Sequence, residues 1–186
     1  LCSSVNYFKV LLCVNEALSV CSNDPQNADV IRTKILNLHN AARKAIVSVD
    51  GLEQSDKSKL PGSRNLFKVT YDCFLEGLAM IAASNCPGKP RSDHIAGEKA
   101  VNYAIKRRVS EAPADGAAYV KALEEAMAKW VDYRYEGVLD KNVTYKDAAM
   151  EPYANIIYNN TVAVGCSTIY CPNKKRISTA CIYSGK

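Results

Sequence analysis

Eight cysteines limit the folds open to this chain, and they stand at positions 2, 13, 21, 73, 86, 166, 171 and 181. An even set of this size indicates a disulfide framework, and therefore an oxidising, extracellular compartment. The chain has 186 residues, of which 48% are hydrophobic, so it can bury a core without cross-links. The disulfides are therefore expected to rigidify a single globular domain.

Two cysteine pairs are excluded by distance. Cys73 and Cys86 bracket a predicted helix, and 13 residues at helical rise place them roughly 20 Å apart, far beyond the ~7 Å limit for bridged Cα atoms. Cys166 and Cys171 lie on one predicted strand, about 16 Å apart, and are excluded in the same way. Each of these four cysteines must find a partner elsewhere in the chain.

The C-terminal hairpin predicts one bridge directly. If the hairpin turns near positions 173 and 174, two residues face each other across it when their numbers sum to about 347. The numbers of Cys166 and Cys181 have this sum, so these two cysteines are predicted to pair. A zinc site is disfavoured because the chain contains no Cys-x-x-Cys motif. A catalytic thiol is disfavoured because neither His39 nor His94 stands in a recognisable nucleophile motif.

Hydrophobic periodicity predicts helices followed by strands. Apolar residues recur at steps of three and four from Ile31 to Ala45, which is typical of an amphipathic helix. Further helices are predicted after the candidate cap Asp72, over 97–108, and over 115–135, where Trp130 is expected in the core. Strands are predicted over 154–158, 161–170 and 177–183. Helices followed by strands, without alternation, predict an α+β fold.

Charge and composition exclude several functions. The net charge is +5, from 24 basic and 19 acidic side chains. The basic clusters Lys106–Arg108 and Lys174–Arg176 could bind heparin-like glycans or acidic membranes, but they are interpreted as solvated surface, and no nucleic-acid motif is present. No apolar run is long enough for a transmembrane helix. The sequons at Asn142 and Asn159 predict glycosylation and agree with secretion.

Six short motifs occur in one order along the chain, at Leu38–Arg43, Tyr71–Cys73, Gly97–Lys99, Lys129–Trp130, Val164–Cys166 and Cys181–Tyr183. They resemble the Leu-His-Asn-x-x-Arg, Tyr-Asp-Cys, Gly-Glu-Asn, helix-tryptophan, Leu-Gly-Cys and Cys-x-Tyr motifs of the CAP superfamily, the antigen 5 and pathogenesis-related-1 type. In particular, the chain is similar to the activation-associated, venom allergen-like secreted proteins of parasitic nematodes. This resemblance implies a CAP domain over 21–186, preceded by a cysteine-bearing lead over 1–20.

The resemblance also implies a fold and a set of bridges. The fold would be a three-layer αβα sandwich with an antiparallel, disulfide-stabilised sheet. The family's bridging implies the pairs Cys21–Cys86 and Cys73–Cys171. These pairs satisfy both distance exclusions, and they leave Cys2 to pair with Cys13 inside the lead.

Many CAP proteins hold a divalent metal in a central cleft with two His and two Glu. Glu98 matches the first Glu, but the second Glu and one His correspond to Tyr133 and Pro152. His94 is the only candidate for the other His. Because structural zinc sites use three or four protein ligands, the degenerate set predicts no metal, no cofactor and no hydrolytic activity.

A scaffold without its metal ligands implies a protein that acts by binding. Relatives of this type include inhibitors of platelets and leukocytes, so the resemblance implies a host cell-surface or plasma protein as partner, with an integrin as one example. Arg91-Ser92-Asp93 faintly resembles an integrin-binding Arg-Gly-Asp triplet, although a solvated loop is the plainer interpretation. The alternative is lipid or sterol carriage between the first helix and the helix that bears Val120 to Trp130.

Overall fold

A computed structural model describes residues 17–18, 21, 25–47, 51–60, 63–91, 95, 97, 99–140, 144 and 146–185. Its helices are α1 (Pro25–Ile46), α2 (Cys73–Ala83), α3 (Gly116–Asp132) and α4 (Glu151–Ile157). Its strands are β1 (Ala17–Leu18), β2 (Leu52–Glu53), β3 (Lys59–Leu60), β4 (Thr70–Tyr71), β5 (Ala100–Arg107), β6 (Ala163–Cys171) and β7 (Arg176–Tyr183). No described helix has the length and apolarity that a membrane span requires.

One sheet of five strands forms the middle layer. Its strand order is β1-β6-β7-β5, and each strand in this order is antiparallel to its neighbour. The short strand β4 pairs parallel with β6. β4 pairs with the start of β6 and β1 pairs with its end, so both short strands share one edge. Strands β2 and β3 form a separate hairpin between α1 and β4. Ala17 and Leu18 lie in the predicted lead, so the sheet extends into that segment.

Helices cover both faces of this sheet. Buried side chains of α1, α3 and α4, including Ile35, Trp130 and Ile156, pack with alternate residues of β6 and β7 in one core. Leu75 and Ala79 of α2 pack on the opposite face with the intervening strand residues. Because each strand residue points to the face opposite its neighbour's, both central strands are buried throughout. The αβα sandwich is confirmed, as is the buried position of Trp130.

Gly165 brings α2 directly against the sheet. A Cβ built on Gly165 would lie 2.1 Å from the backbone nitrogen of Glu76 and 2.5 Å from the carbonyl carbon of Leu75. Asp72 caps α2 with its side chain, which accepts a hydrogen bond from the Leu75 amide at 2.8 Å. Its own amide donates to the Val164 carbonyl at 3.0 Å. The start of α2 therefore lies against the start of β6.

Two predicted elements have the wrong type. The segment 97–108 was expected to be helical because it is rich in alanine, but β5 occupies most of it and pairs with β7 over its whole length. The segment 154–158 was expected to be a strand, but it lies largely within α4. Pro152 stands in the first turn of α4, a position that suits proline's fixed φ angle and missing amide proton.

The structure corrects two of the predicted bridges. Cys166 bonds to Cys181, as the hairpin arithmetic predicts, and these residues face each other in the β6–β7 register. The pairs Cys21–Cys86 and Cys73–Cys171 are wrong, since Cys21 bonds to Cys73 and Cys86 bonds to Cys171. The reason is the direction of α2, which begins against Gly165 and ends near the far end of β6. The pair Cys2–Cys13 lies outside the described residues.

Candidate functional site

Tyr133 and Pro152 lie in two elements that contact each other, the turn after α3 and the first turn of α4. Tyr133 begins a 3-10 turn directly after α3, and this turn packs against α4. The side chain of Tyr133 is half-buried against the core, with the Lys129 ammonium 6.0 Å from its ring centroid. Pro152 is half-buried in the first turn of α4. The two residues predicted at lost ligand positions therefore belong to neighbouring elements.

A polar side chain of β5 holds the start of α4 in place. Asn102 is 1% exposed, and its Nδ2 donates to the carbonyl of Pro152 at 2.7 Å and to Tyr183 Oη at 3.0 Å. Its Oδ1 accepts a hydrogen bond from Asn155 Nδ2 at 2.9 Å. All the hydrogen-bonding atoms of the Asn102 amide are thus engaged inside the protein.

His39 extends this network to α1. Its Nδ1 lies 2.8 Å from the Ile35 carbonyl, which can only accept, so Nδ1 carries the proton. Nε2 is then an acceptor and receives a hydrogen bond from Tyr183 Oη at 3.1 Å. Burial lowers the pKa of His39 to about 4 and raises the pKa of Tyr183. His39 is therefore neutral at physiological pH, and both of its nitrogens are engaged.

Arg43, the last residue of the first motif, is also structural. Its guanidinium is 2% exposed and donates to four backbone carbonyls, those of Phe67, Ile156, Tyr158 and Thr161, at 2.8–3.0 Å. The Ile156 and Tyr158 carbonyls lie at the C-terminal end of α4, where a cation is stabilised by unpaired carbonyls and the helix dipole. Burial lowers the pKa of Arg43 to about 10, so it remains charged at neutral pH.

Asn40 and Tyr71 also anchor backbone. Asn40 exchanges two hydrogen bonds with the backbone of Val69, at 2.9 and 3.3 Å. Tyr71 Oη donates to the buried Glu76 carboxylate at 2.7 Å, and Glu76 also accepts from the Cys21 amide at 3.2 Å. Burial and the Glu76 carboxylate raise the pKa of Tyr71. These motif residues therefore secure the scaffold rather than form a reactive centre.

The residues at the cleft do not fit the metal that the family resemblance implies. Pro152 has no ligand atom in its side chain, and its carbonyl already accepts from Asn102. Tyr133 supplies neither imidazole nor carboxylate, and Glu98 and His94 lie outside the described residues. Within the described ranges, a single group of His, Cys and acidic side chains is close enough to share an ion. It consists of His39, Cys166 and Cys181, and its two sulfurs form a disulfide.

Of the predicted binding and modification positions, the structure describes Arg91 and Asn159. Arg91 is exposed, and its amide donates to the Ala82 carbonyl at 3.3 Å. Asp93 lies outside the described residues, as does the sequon residue Asn142. Asn159 is exposed in the turn between α4 and β6.

The surface predicted for lipid carriage lies between α1 and α3. Leu123, Met127 and Trp130 on α3 are each 1% exposed and pack into the core. At the rim, the Lys34 ammonium lies 2.6 Å from the Glu124 carboxylate and so links the two helices. The apolar side chains that were predicted to line a lipid groove are therefore occupied by core packing, and lipid carriage stays a prediction.

Sequence reasoning missed Asn102, which connects β5 to α4. Asn102 lies in the segment 97–108, which the sequence predicts to be helical. In a predicted helix, an asparagine gives no reason to expect a hydrogen-bonding position on a strand. The alternation of Val101, Tyr103 and Ile105 with smaller residues was the available signal for a strand. Reading that alternation would have placed Asn102 on the face of the sheet that carries α1, α3 and α4.

Fold and site together define a disulfide-bonded αβα sandwich, in which the motif residues of α1 and β7 form a buried structural network. The chain belongs to the CAP family, the cysteine-rich secretory protein family, whose sequence model matches residues 36–183. The match begins within α1 and ends at Tyr183, the last residue of β7. It therefore includes every side chain of the hydrogen-bond network from His39 to Tyr183, while the Ile35 carbonyl that accepts from His39 lies one residue before it.

Known relatives are secreted proteins of parasitic nematodes. The Ancylostoma secreted protein of Ancylostoma caninum is 28% identical over 165 residues, which are 89% of this chain and 36% of that protein. The solved structure of Na-ASP-1 has 24% identity and a TM-score of 0.71, covering 89% of this chain and 38% of that one. Hookworm platelet inhibitor has 20% identity and a TM-score of 0.57, covering 90% and 76%. This chain thus spans little more than a third of the first two proteins.

Proposed function

We propose that this chain is a secreted, non-enzymatic effector that binds a host cell-surface or plasma protein and thereby modulates host immunity or haemostasis. The observation that carries the proposal is the presence of Tyr133 and Pro152 where the family resemblance calls for metal ligands. The fold is kept, while these two positions supply neither an imidazole nor a carboxylate. A CAP fold without these two ligands favours binding through the surface as its function.

The polar residues described near this cleft do not favour catalysis. A general base needs an accessible group near its pKa, but His39 is buried, with both nitrogens engaged. The Arg43 guanidinium donates four of its five N–H groups to backbone carbonyls. Tyr183 has a raised pKa, so it stays protonated at neutral pH. His39, Arg43 and Tyr183 are thus held in structural roles.

Secretion and host binding have independent support. Three disulfides join the described cysteines, which is typical of proteins from oxidising compartments. The relative in Ancylostoma caninum is named a secreted protein. Another protein with the same fold is named a platelet inhibitor. An integrin is the partner class that the Arg91-Ser92-Asp93 triplet favours, with the Asp93 carboxylate completing the coordination of an integrin-bound cation and Arg91 pairing with an acidic surface.

The test is inhibition of platelet and leukocyte adhesion to immobilised integrin ligands. It compares the wild-type chain with Asp93→Ala and with Asp132→Ala, a control that removes an exposed aspartate at the end of α3. Wild type should inhibit adhesion with a saturable dose response. Asp93→Ala should lose potency by about tenfold or more, since removing one partner of a desolvated charge pair at an interface costs about 2 kcal/mol or more.

The control variant should match wild type within about twofold. Equal inhibition by Asp93→Ala and wild type would remove the triplet from the binding surface. Absence of inhibition by wild type, together with no saturable binding to blood cells or to immobilised plasma proteins, would refute host binding itself.

A further inference from the structure

Two basic segments that are distant in the sequence meet at one end of the sheet. The end of β5 contributes two arginines, and the β6–β7 turn with the start of β7 contributes three further cations. Arg107 and Arg176 are direct partners in the β5–β7 register. Together these segments line a groove of about 510 Å³, here called the basic groove, formed by Arg107, Arg108, Ser110, Lys174, Lys175 and Arg176.

The charges of the basic groove are not compensated by the protein. Within the described ranges, none of the five cations forms an ion pair with a carboxylate, whereas Lys106, one residue before the groove, lies 2.7 Å from Glu125. Directly opposed partners in an antiparallel pair share one face of the sheet, and like charges there are destabilising. Arg107 and Arg176 therefore form a repulsive pair that a bound anion would relieve.

A disulfide and two hydrogen bonds hold the residues of the basic groove in place. The Cys86–Cys171 disulfide ties the end of β6 to the loop after α2, directly before the turn that carries Lys174. Lys174 Nζ donates to the Asn85 carbonyl at 2.7 Å, and the Val109 amide donates to the Lys175 carbonyl at 3.0 Å. A groove that is already ordered loses little conformational entropy when it binds a ligand.

We infer that the basic groove binds the sulfate groups of a linear sulfated glycosaminoglycan. Arginine side chains on both walls, with two lysines on the β6–β7 wall, suit a chain that carries several sulfates, because arginine can contact each one through two donors. The lining contains no apolar or aromatic side chain. It therefore lacks the apolar contacts of membrane-surface binding and the stacking platforms of single-stranded nucleic acids.

Binding is tested by calorimetric titration with a size-defined heparin oligosaccharide at physiological ionic strength. The key variant carries Arg107→Gln and Arg176→Gln. The control carries Lys44→Gln and Lys121→Gln, which remove the same charge from exposed positions on α1 and α3. Heparin should bind wild type saturably. The groove variant should bind about tenfold more weakly or worse, while the control should stay within about twofold.

Stability separates this effect from misfolding. Removing the opposed arginines should leave the thermal midpoint unchanged or slightly raised, because like-charge repulsion is lost. Chemically desulfated heparin, inorganic sulfate and phosphatidylserine-containing vesicles are the comparison ligands, and each should bind more weakly than heparin. Equal losses in both variants, equal binding of desulfated heparin, or preferential binding to sulfate or vesicles would overturn the inference.

Arg91 is not among the described residues that line the basic groove. Failure of the heparin titration would therefore leave the adhesion assay unaffected. Conversely, loss of adhesion inhibition in Asp93→Ala would leave heparin affinity unchanged.

Discussion

Arg43→Met should destabilise the fold more than any other single change in the first motif. Methionine fills a similar volume but donates no hydrogen bonds. The substitution removes the donors to four carbonyls, and it leaves the end of α4 without its cation. Arg43 is 2% exposed, so little water can replace the lost donors.

The size of the effect follows from the burial of each contact. The bonds to Ile156 and Thr161 are buried, and each carbonyl left without a donor costs about 1–3 kcal/mol. The bonds to Phe67 and Tyr158 are partly buried, and their loss costs about 0.5–1.5 kcal/mol each. Relief of the buried charge offsets part of this cost, so we expect a net loss of about 3–5 kcal/mol. For a chain of this size, that corresponds to a thermal midpoint about 6–20 °C lower.

The assay is thermal and urea denaturation followed by circular dichroism, with the disulfides kept intact. Arg43→Lys should lie between Arg43→Met and wild type, because a lysine keeps the charge but cannot reach all four carbonyls. Lys44→Met is the matched control at the exposed next position of α1, and it should change the free energy of unfolding by less than about 0.5 kcal/mol.

A loss of less than about 1 kcal/mol in Arg43→Met would refute the reasoning. It would mean that these carbonyls find water or other donors, and that the motif arginine does not hold α4. A loss as large in Lys44→Met would show instead that α1 tolerates methionine poorly at any position.

Two further predictions concern the scaffold. The pKa of His39 is about 4 in the folded protein, against an ordinary value of 6.5. The neutral His39 side chain therefore contributes its full stabilisation above pH 6.5, and this stabilisation is lost as the pH falls through 4. The loss should reach about 3 kcal/mol, and His39→Gln should lack this part of the pH dependence in urea titrations; an identical pH profile would contradict the assignment. Gly165→Ala should cost more than about 3 kcal/mol, because its Cβ meets the backbone of α2. Gly77→Ala, within α2 and free of contacts, should instead stabilise by about 0.5–1 kcal/mol in the same denaturation assay; equal effects of the two would refute the close approach.

Local patterns predicted α1, α2, α3 and the β6–β7 hairpin, because their hydrophobic periods match the faces that they bury. The Asp72 cap and the Cys166–Cys181 register depend on short-range geometry and were also predictable. β5 was not, since Ala100 and Ala104 favour a helix locally. Eight residues of pairing with β7 outweigh that preference.

The remaining features depend on how distant segments pack. Both arrangements of the four cysteines Cys21, Cys73, Cys86 and Cys171 satisfy the distance exclusions, and the direction of α2 along β6 decides between them. The pairing of Arg107 with Arg176 likewise depends on the β5–β7 register. Two basic runs that look solvated in the sequence form one groove only when that register is known.

The central claim is that this CAP scaffold no longer binds a metal in its cleft and acts through its surface. The most direct test is the zinc content of the purified chain, measured by mass spectrometry after equilibration with zinc and dialysis against a weak chelator. Tyr133 and Pro152 predict zinc far below one equivalent. Retention of equimolar zinc that disappears in Glu98→Ala would contradict the claim.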